Sequence, residues 1–202
     1  LEFRRVLFRS QRVSARNAKE FIELMKKNPG KYNFASAGSG TVHHLAGELF
    51  KIQTGTFITH IPYRGAGPAM NDLLAGQIDL EFDGLATSAP QINAGKLVAI
   101  AVASSKRSTA IPNVPTFKEA GLPDYEVSTW YSMFAPVGTP KPIVDKMIAE
   151  VQKAMNTPKL KAIWEKNGSE TPNLYGEAFG KQVRADVARW SAVVKKSGAS
   201  LD

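Results

Sequence analysis

Glycines and hydroxyl side chains cluster in the segment 35–45, ASAGSGTVHHL, where a strand-like pattern gives way to a helical one. The first amides of a helix have no intrahelical acceptor, and the helix dipole adds partial positive charge at that end. Such a turn can hold an anion. The alternative is a plain helix cap, with glycines that only turn the chain. The candidate ligand-binding residues of this segment are Ser36, Gly38, Ser39, Gly40, Thr41 and His43.

A second segment, 60–71, again runs from a strand through a glycine pair to a helix start, and Arg64 comes directly after the strand. Arg64 could bind a carboxylate through two parallel hydrogen bonds, or it could be an ordinary surface arginine. Asp83 ends a third strand, where it could accept a hydrogen bond from a ligand or simply cap a turn. Ligands of open parallel sheets bind beyond the carboxyl ends of the strands, so we expect these positions to lie near one another.

Other chemistries fit the sequence less well. There is neither a Walker A ending nor a spaced dinucleotide-binding glycine pattern, which disfavours nucleotides. His44 and Glu48 lie four residues apart, but His43 is adjacent to His44 and points to another helix face, so we predict no metal site. A hydrolase could use Ser39, His43 and Asp83, yet no nucleophile-elbow pattern is present. We predict no catalytic residues and no cofactor.

Composition narrows the class of protein further. The 202 residues carry a formal charge of +8, but the basic residues are scattered, which argues against nucleic-acid binding. The aromatic cluster Trp130, Tyr131 and Phe134 has no interleaved basic residues and is predicted to pack between lobes rather than stack on bases. Cysteine is absent, so disulfides and thiolate metal sites are excluded. The apolar runs are too short to span a membrane.

Strand and helix patterns alternate through the first 124 residues, which predicts an α/β lobe with a largely parallel sheet. Beyond it we predict a short helix near Phe117, an extended segment at 125–135 and helices only after Pro140. The apolar faces of those last helices need a surface to cover, which we expect from a sheet that this chain lacks. The predicted strands are 32–36, 57–63, 78–82 and 97–103, and the predicted helices begin at Asn17, Thr41, about Pro68 and Ser88, and later span 143–155, 159–165 and 175–194.

The first ten residues, LEFRRVLFRS, do not match a secretory signal and look foreign to the rest of the chain. We predict that residues 1–10 are a non-native or artefactual segment and exclude them from the fold. The natural amino terminus is then expected to be missing from this sequence.

Four blocks of sequence together resemble one family, the solute receptors of tripartite tricarboxylate transporters, known as Bug proteins. The blocks are NPGKYNFASAGSGTVHHLAGELF, HIPYRGAGPAMNDLLAGQIDLEFDG, INAGKLVAIAVASSKRSTAIPNVPTFKEAG and WYSMFAPVGTPKPIV. The resemblance covers residues 13–202 and implies a type II periplasmic-binding-protein fold with two α/β lobes. By position it assigns cleft-lining roles to the Ser36 to Thr41 loop, to Tyr63, Arg64 and Gly65, and to Asp83.

Family members look about a hundred residues longer at the front, so the resemblance implies an amino-terminally truncated chain. Residues 11–124 would be the second lobe and 125–202 the returning, incomplete part of the first lobe, with most of that lobe's sheet missing. The implied function is capture of a small carboxylate, a di- or tricarboxylate or related acid, for delivery to membrane transporter subunits. The implied protein is periplasmic, is a monomer when full length, and is not an enzyme. The alternatives are a ligand sensor for a membrane signalling partner and, less favoured, a small-molecule hydrolase.

Overall fold

The computed structural model describes residues 2–166, 169–170 and 174–200 of the chain. Within these ranges, no helix combines the length and the apolar character that crossing a membrane requires. The strands are β1 (Glu2–Arg9), β2 (Asn33–Ser36), β3 (Thr59–Pro62), β4 (Leu80–Gly84), β5 (Val98–Val102), β6 (Ser128–Trp130) and β7 (Ser169–Glu170). The helices are α1 (Ala18–Lys27), α2 (Val42–Thr54), α3 (Ala66–Leu74), α4 (Leu85–Asn93), α5 (Lys141–Met155), α6 (Pro158–Lys166) and α7 (Gly176–Ser197).

Local sequence explains where the first two helices begin. Asn17 caps α1 by accepting the amide N–H of Glu20 through its side chain at 2.9 Å, and Glu20 accepts the N–H of Arg16 in return. Thr41 caps α2 in the same way, and Gly55 ends that helix in the left-handed conformation with φ 64°. The starts predicted from the capping pattern are confirmed for both helices.

The main sheet has the strand order β3-β2-β4-β1-β5. Strands β2, β3 and β4 are parallel, as predicted, and Ser36 lies opposite Pro62 at the ends of β2 and β3. The prediction of a largely parallel sheet needs correction, because β1 lies between β4 and β5 and runs antiparallel to both. This strand continues into a second small sheet, where its first residues pair with β6 and β7.

The exclusion of residues 1–10 from the fold is wrong, since β1 is an interior strand that joins the two sheets. Val6, Leu7 and Phe8 are completely buried. Three adjacent apolar side chains in an interior strand serve both faces of the sheet, which is why the run lacks simple alternation. The suggestion that the segment is foreign to the natural protein is a separate matter and stays a prediction.

Two apolar cores lie on opposite faces of the main sheet. One contains Phe21, Phe34, Phe50, Phe117 and Tyr125 beneath α1 and α2. The other packs α3 and α4 against the sheet, with members that include Val6, Phe8, Ala69, Leu73 and Leu85. The sheet is therefore covered on both faces, as the alternating pattern predicted.

The chain after β5 departs from the prediction in two places. Residues 117–120 form turns rather than a short helix. The N–H of Phe117 donates to the carbonyl of Val102 at 3.0 Å and ties this segment to the edge of β5. The part after Pro140, predicted to be wholly helical, also contains the two-residue strand β7, which pairs with β1.

The C-terminal helices differ in how much they bury. Helix α7 returns to the first core, where Val193 is buried and Trp190 packs against the cluster. Helix α5 has no buried residue, and its Ile143 and Met147 are 54% and 48% exposed. The lobe boundary after residue 124 stays a prediction. Tyr125 and Val127, which follow that boundary, lie in the same core as Phe117, which precedes it.

Candidate functional site

The carboxyl ends of β2, β3 and β4 lie at one edge of the sheet, because the three strands are parallel and paired. The N–H of Tyr63 donates to the carbonyl of Ser36 at 3.0 Å, which places the two glycine-containing loops side by side. A Cβ on Gly38 would lie 3.5 Å from the carbonyl oxygen of Tyr63. The structure thus brings the loop after β2 and the loop after β3 together.

The first loop satisfies most of its own amides. The N–H of Gly38 donates to Ser36 Oγ at 3.1 Å, and that of Gly40 donates to Nδ1 of His44 at 3.1 Å. The N–H of Thr41 donates to the carbonyl of Gly38 at 3.3 Å, and its hydroxyl donates to the same oxygen at 2.7 Å. These groups hold the turn in shape and do not point outward. Helix geometry leaves the first-turn amides of Val42 and His43 for a ligand.

The second loop contains three of the predicted residues in different roles. The hydroxyl of Tyr63 donates to Asp72 Oδ2 at 2.7 Å, so this side chain serves its own helix. Arg64 is exposed. Gly65 precedes α3 with φ 109°, a backbone conformation that favours glycine. Helix α3 begins at Ala66, two residues before the predicted start at Pro68.

A cavity of about 240 Å³ opens at this edge of the sheet. It is reached by the amino-terminal ends of three helices, through His43 of α2, Ala66 of α3 and Leu85 of α4. Helix α4 begins three residues before the predicted Ser88, and the Thr87 hydroxyl of its first turn lies 2.6 Å from Asp83 Oδ2 and 2.8 Å from the carbonyl oxygen of Gly84. Three helix dipoles with positive ends at one cavity favour an anion. The lining residues are Arg5, His43, Ala66, Asp83, Gly84, Leu85, Ala86, Thr87, Thr129 and Tyr131.

Arg5 organises the polar wall of the cavity. Its guanidinium donates to Thr129 Oγ1 at 3.2 and 2.7 Å, to Asp83 Oδ1 at 3.4 Å and to Nε2 of His43 at 2.9 Å. Arginine can only donate, so Nε2 of His43 is the acceptor and the proton of the neutral ring lies on Nδ1. Burial, followed by the charge of Arg5, lowers the pKa of His43 to about 4. The 3.4 Å approach of His43 to Asp83 is therefore not an ion pair at neutral pH.

Glu81 lies two residues before Asp83 on β4 and is completely buried. Neither of its carboxyl oxygens has a hydrogen-bond partner among the described residues. Burial, and then the charge of Asp83, raises the pKa of Glu81 to about 9 against the opposing effect of Arg5. Glu81 is accordingly a neutral carboxylic acid at pH 7, and the Arg5 and Asp83 charges compensate each other.

His43, Glu81 and Asp83 each offer a ligand atom, and these atoms lie within 4.8 Å of one another. That spacing would suit a metal ion, but the Arg5 guanidinium contacts two of the three residues and supplies the positive charge itself. A second cation would be repelled there. Of the hydrolase candidates, His43 and Asp83 line the cavity, and Ser39 is not among its described lining residues.

Two residues that line this cavity, Arg5 and Thr129, were not predicted from the sequence. Arg5 was excluded with the first ten residues, although three apolar residues flanked by arginines are consistent with a buried strand. Thr129 lies beside an aromatic cluster that was interpreted as packing. Neither residue carries a local motif. Arg5 reaches the cavity because β1 pairs with β4, and Thr129 reaches it because β6 pairs with β1.

The α/β sheet, with parallel strands that end at a polar cavity, has the fold of solved periplasmic binding proteins, which identify it as the type II periplasmic-binding-protein fold. The chain belongs to the tripartite tricarboxylate transporter family of receptors, whose sequence pattern matches residues 4–199. The resemblance to Bug proteins is thereby confirmed. The family and its solved neighbours are solute-binding receptors and not enzymes.

Three relatives illustrate the similarity. Protein BugT of Bordetella pertussis is 31% identical over 97% of this chain and 60% of its own length. An R. palustris protein solved with adipate is 30% identical, with a TM-score of 0.87 over 98% of this chain and 67% of that one. MatC from Rhodopseudomonas palustris, with bound malate, is 31% identical, with a TM-score of 0.83 over 96% and 67%. The chain spans between about half and two thirds of the length of three curated relatives, BugT among them, and of the two solved neighbours named above.

Proposed function

We propose that this chain is part of an extracytoplasmic receptor that captures a small carboxylate and delivers it to a tripartite tricarboxylate transporter. The observation that carries the proposal is the convergence of three helix amino termini on one cavity. Unpaired first-turn amides and the dipoles behind them stabilise negative oxygen without a full countercharge. The periplasm is the proposed location, in keeping with the family and with the periplasmic binding protein BugD among its solved neighbours.

The polar wall supports a carboxylate as the class of ligand. Arg5 is compensated by Asp83, and His43 is neutral, so the wall carries no excess negative charge at neutral pH. Helix α3 contributes first-turn amides at Ala66 and Gly67, because its cap Gly65 provides no side-chain acceptor. Two neighbours solved with dicarboxylates, one with adipate and one with malate, are consistent with this chemistry.

The proposal is tested by thermal and urea unfolding of the 202-residue chain with adipate, malate and a panel of mono- and tricarboxylates. A ligand that binds only the folded state stabilises it by about 2.7 kcal/mol at a concentration one hundred times its Kd. At least one acid should therefore raise the unfolding midpoint in a concentration-dependent way. Absence of any shift across the panel would contradict carboxylate capture by this chain.

Removal of one backbone N–H, that of Ala66, tests the proposal more specifically. Ala66→Pro removes the first N–H of α3 while keeping a residue that suits this helical position, and Ala66→Gly keeps the N–H as a matched control. A hydrogen bond to a charged group contributes about 1.5–3 kcal/mol. We expect the proline variant to bind the responding acid at least about tenfold more weakly, as measured by calorimetry, and the glycine variant to bind it nearly normally. Equal affinities for both would refute the role assigned to the start of α3.

A further inference from the structure

His44 and His60 form a stacked pair beneath the first glycine-containing loop. Their ring centroids lie 3.8 Å apart with an interplanar angle of 8°, and the His60 ring lies 5.0 Å from that of Phe34. His44 belongs to the first turn of α2, and His60 belongs to β3. Neither residue lines the cavity, so any effect on a ligand has to pass through other residues.

Each histidine holds a different part of the loop. His60 Nε2 lies 2.6 Å from Ser36 Oγ, which in turn accepts the N–H of Gly38 at 3.1 Å. His44 accepts the N–H of Gly40 through Nδ1 at 3.1 Å. The pair thus anchors the loop at two glycine amides, one on each side of Ser39.

The His44 contact requires an uncharged ring. A ring whose Nδ1 accepts an N–H must carry its proton on Nε2, and in His44 that atom faces Glu48 Oε1 at 3.7 Å. Burial lowers the pKa of both rings, that of His60 to about 4, and the second cause for His60 is His44. The other charged groups at the pair are Glu48 and Lys51 of α2, which bond each other at 2.8 Å. At neutral pH both rings are uncharged, and Nδ1 of His44 remains able to accept the N–H of Gly40.

We infer that His44 and His60 are positioning residues of the proposed ligand site: together they fix the loop 37–41 so that the first-turn amides of α2 face the cavity. The inference rests on the proposed function, because those amides matter only if the cavity takes an anion. Gly38 and Gly40 have φ values of 131° and 74°, which only glycine adopts readily. The histidines act together with Ser36 and Thr41, whose hydroxyls donate to the carbonyl of Gly38 at 3.0 and 2.7 Å. The shape of the loop is therefore set by its hydrogen-bond partners.

Two substitutions at one position separate positioning from bulk packing. His60→Gln can keep a polar group near Ser36 Oγ, whereas His60→Phe keeps an aromatic ring for stacking and loses that hydrogen bond. The ¹⁵N–¹H resonances of Gly38 and Gly40 report the loop directly, and calorimetric titration with adipate reports the site. Loss of one such hydrogen bond corresponds to about a tenfold change in affinity.

We expect His60→Phe to move the Gly38 resonance and weaken adipate binding about tenfold, and His60→Gln to stay within about threefold of the wild type. Unchanged glycine resonances in His60→Phe would overturn the inference, whatever the ligand does. Equal weakening in both variants would also overturn it, because polar rescue would then have no effect. If the wild-type chain binds no carboxylate, the proposed function fails, and the glycine resonances still decide whether His60 holds the loop.

Discussion

Replacing Glu81 by glutamine should stabilise the protein at neutral pH. The side chain is completely buried and neither oxygen has a hydrogen-bond partner among the described residues, so ionisation inside the fold is strongly opposed. Glutamine has nearly the shape of the protonated acid and carries no proton that can be lost. The substitution therefore isolates the effect of ionisation from the effect of packing.

The size of the expected stabilisation follows from the pKa of the Glu81 carboxyl in the unfolded and the folded state. The unfolded carboxyl has an ordinary pKa of 4.5, whereas burial raises the folded pKa to about 9. Between these values the folded state holds a proton that the unfolded state has released, so the free energy of unfolding falls as the pH rises. Each pH unit in this window costs about 1.4 kcal/mol, which amounts to about 3 kcal/mol at pH 7. Below pH 4.5 both states are protonated and the cost disappears.

The assay is urea unfolding of the wild type and Glu81→Gln at several pH values from about 4.5 to about 8.5. We expect the difference in unfolding free energy to grow in favour of the variant, from near zero at the acidic end to about 3 kcal/mol at pH 7. Glu126→Gln is the matched control, because Glu126 is exposed. A difference for Glu81→Gln that stays constant across this range would refute the account of Glu81 as a buried neutral acid.

Two further substitutions test the first core. Gly47→Ala should destabilise the protein by about 1–3 kcal/mol in urea unfolding, because a Cβ at this position would lie 2.2 Å from the Phe34 ring; an unaltered midpoint would show that α2 and β2 are not packed this closely. Tyr125→Phe should cost about 1 kcal/mol, since the buried hydroxyl donates to the carbonyl of Ala46 at 2.9 Å, and an equal or higher stability of the variant would argue against that bond.

Much of the α/β lobe could be predicted because its signals are local. Asn17 and Thr41 indicate helix starts because their side chains can cap a helix by accepting a first-turn N–H. The strand before each glycine-containing loop is indicated by alternating residues, and parallel pairing then places the loop ends at one edge. These features depend on a few neighbouring residues, which a sequence displays directly.

The errors occurred where a contact distant in sequence decides the outcome. Residues 2–9 do not show a strand pattern in the sequence, yet pairing with β4 and β5 makes them an interior strand of the sheet. The amides of Gly38 and Gly40 were expected to face a ligand, but Ser36 and His44 accept them instead. Local sequence shows that such donors exist, but it does not show which acceptor lies within hydrogen-bond distance of them in the folded protein.

The amino-acid sequence by itself determined the family, the starts of α1 and α2, and the edge of the sheet where a ligand would bind. Only the tertiary structure decided that Arg5 and Thr129 meet His43 and Asp83 at the cavity, and that Glu81 lies buried without a hydrogen-bond partner among the described residues. The physical reason is that capping and periodicity act over a few residues, whereas strand pairing joins residues more than a hundred positions apart and fixes both the charge and the solvation of each side chain.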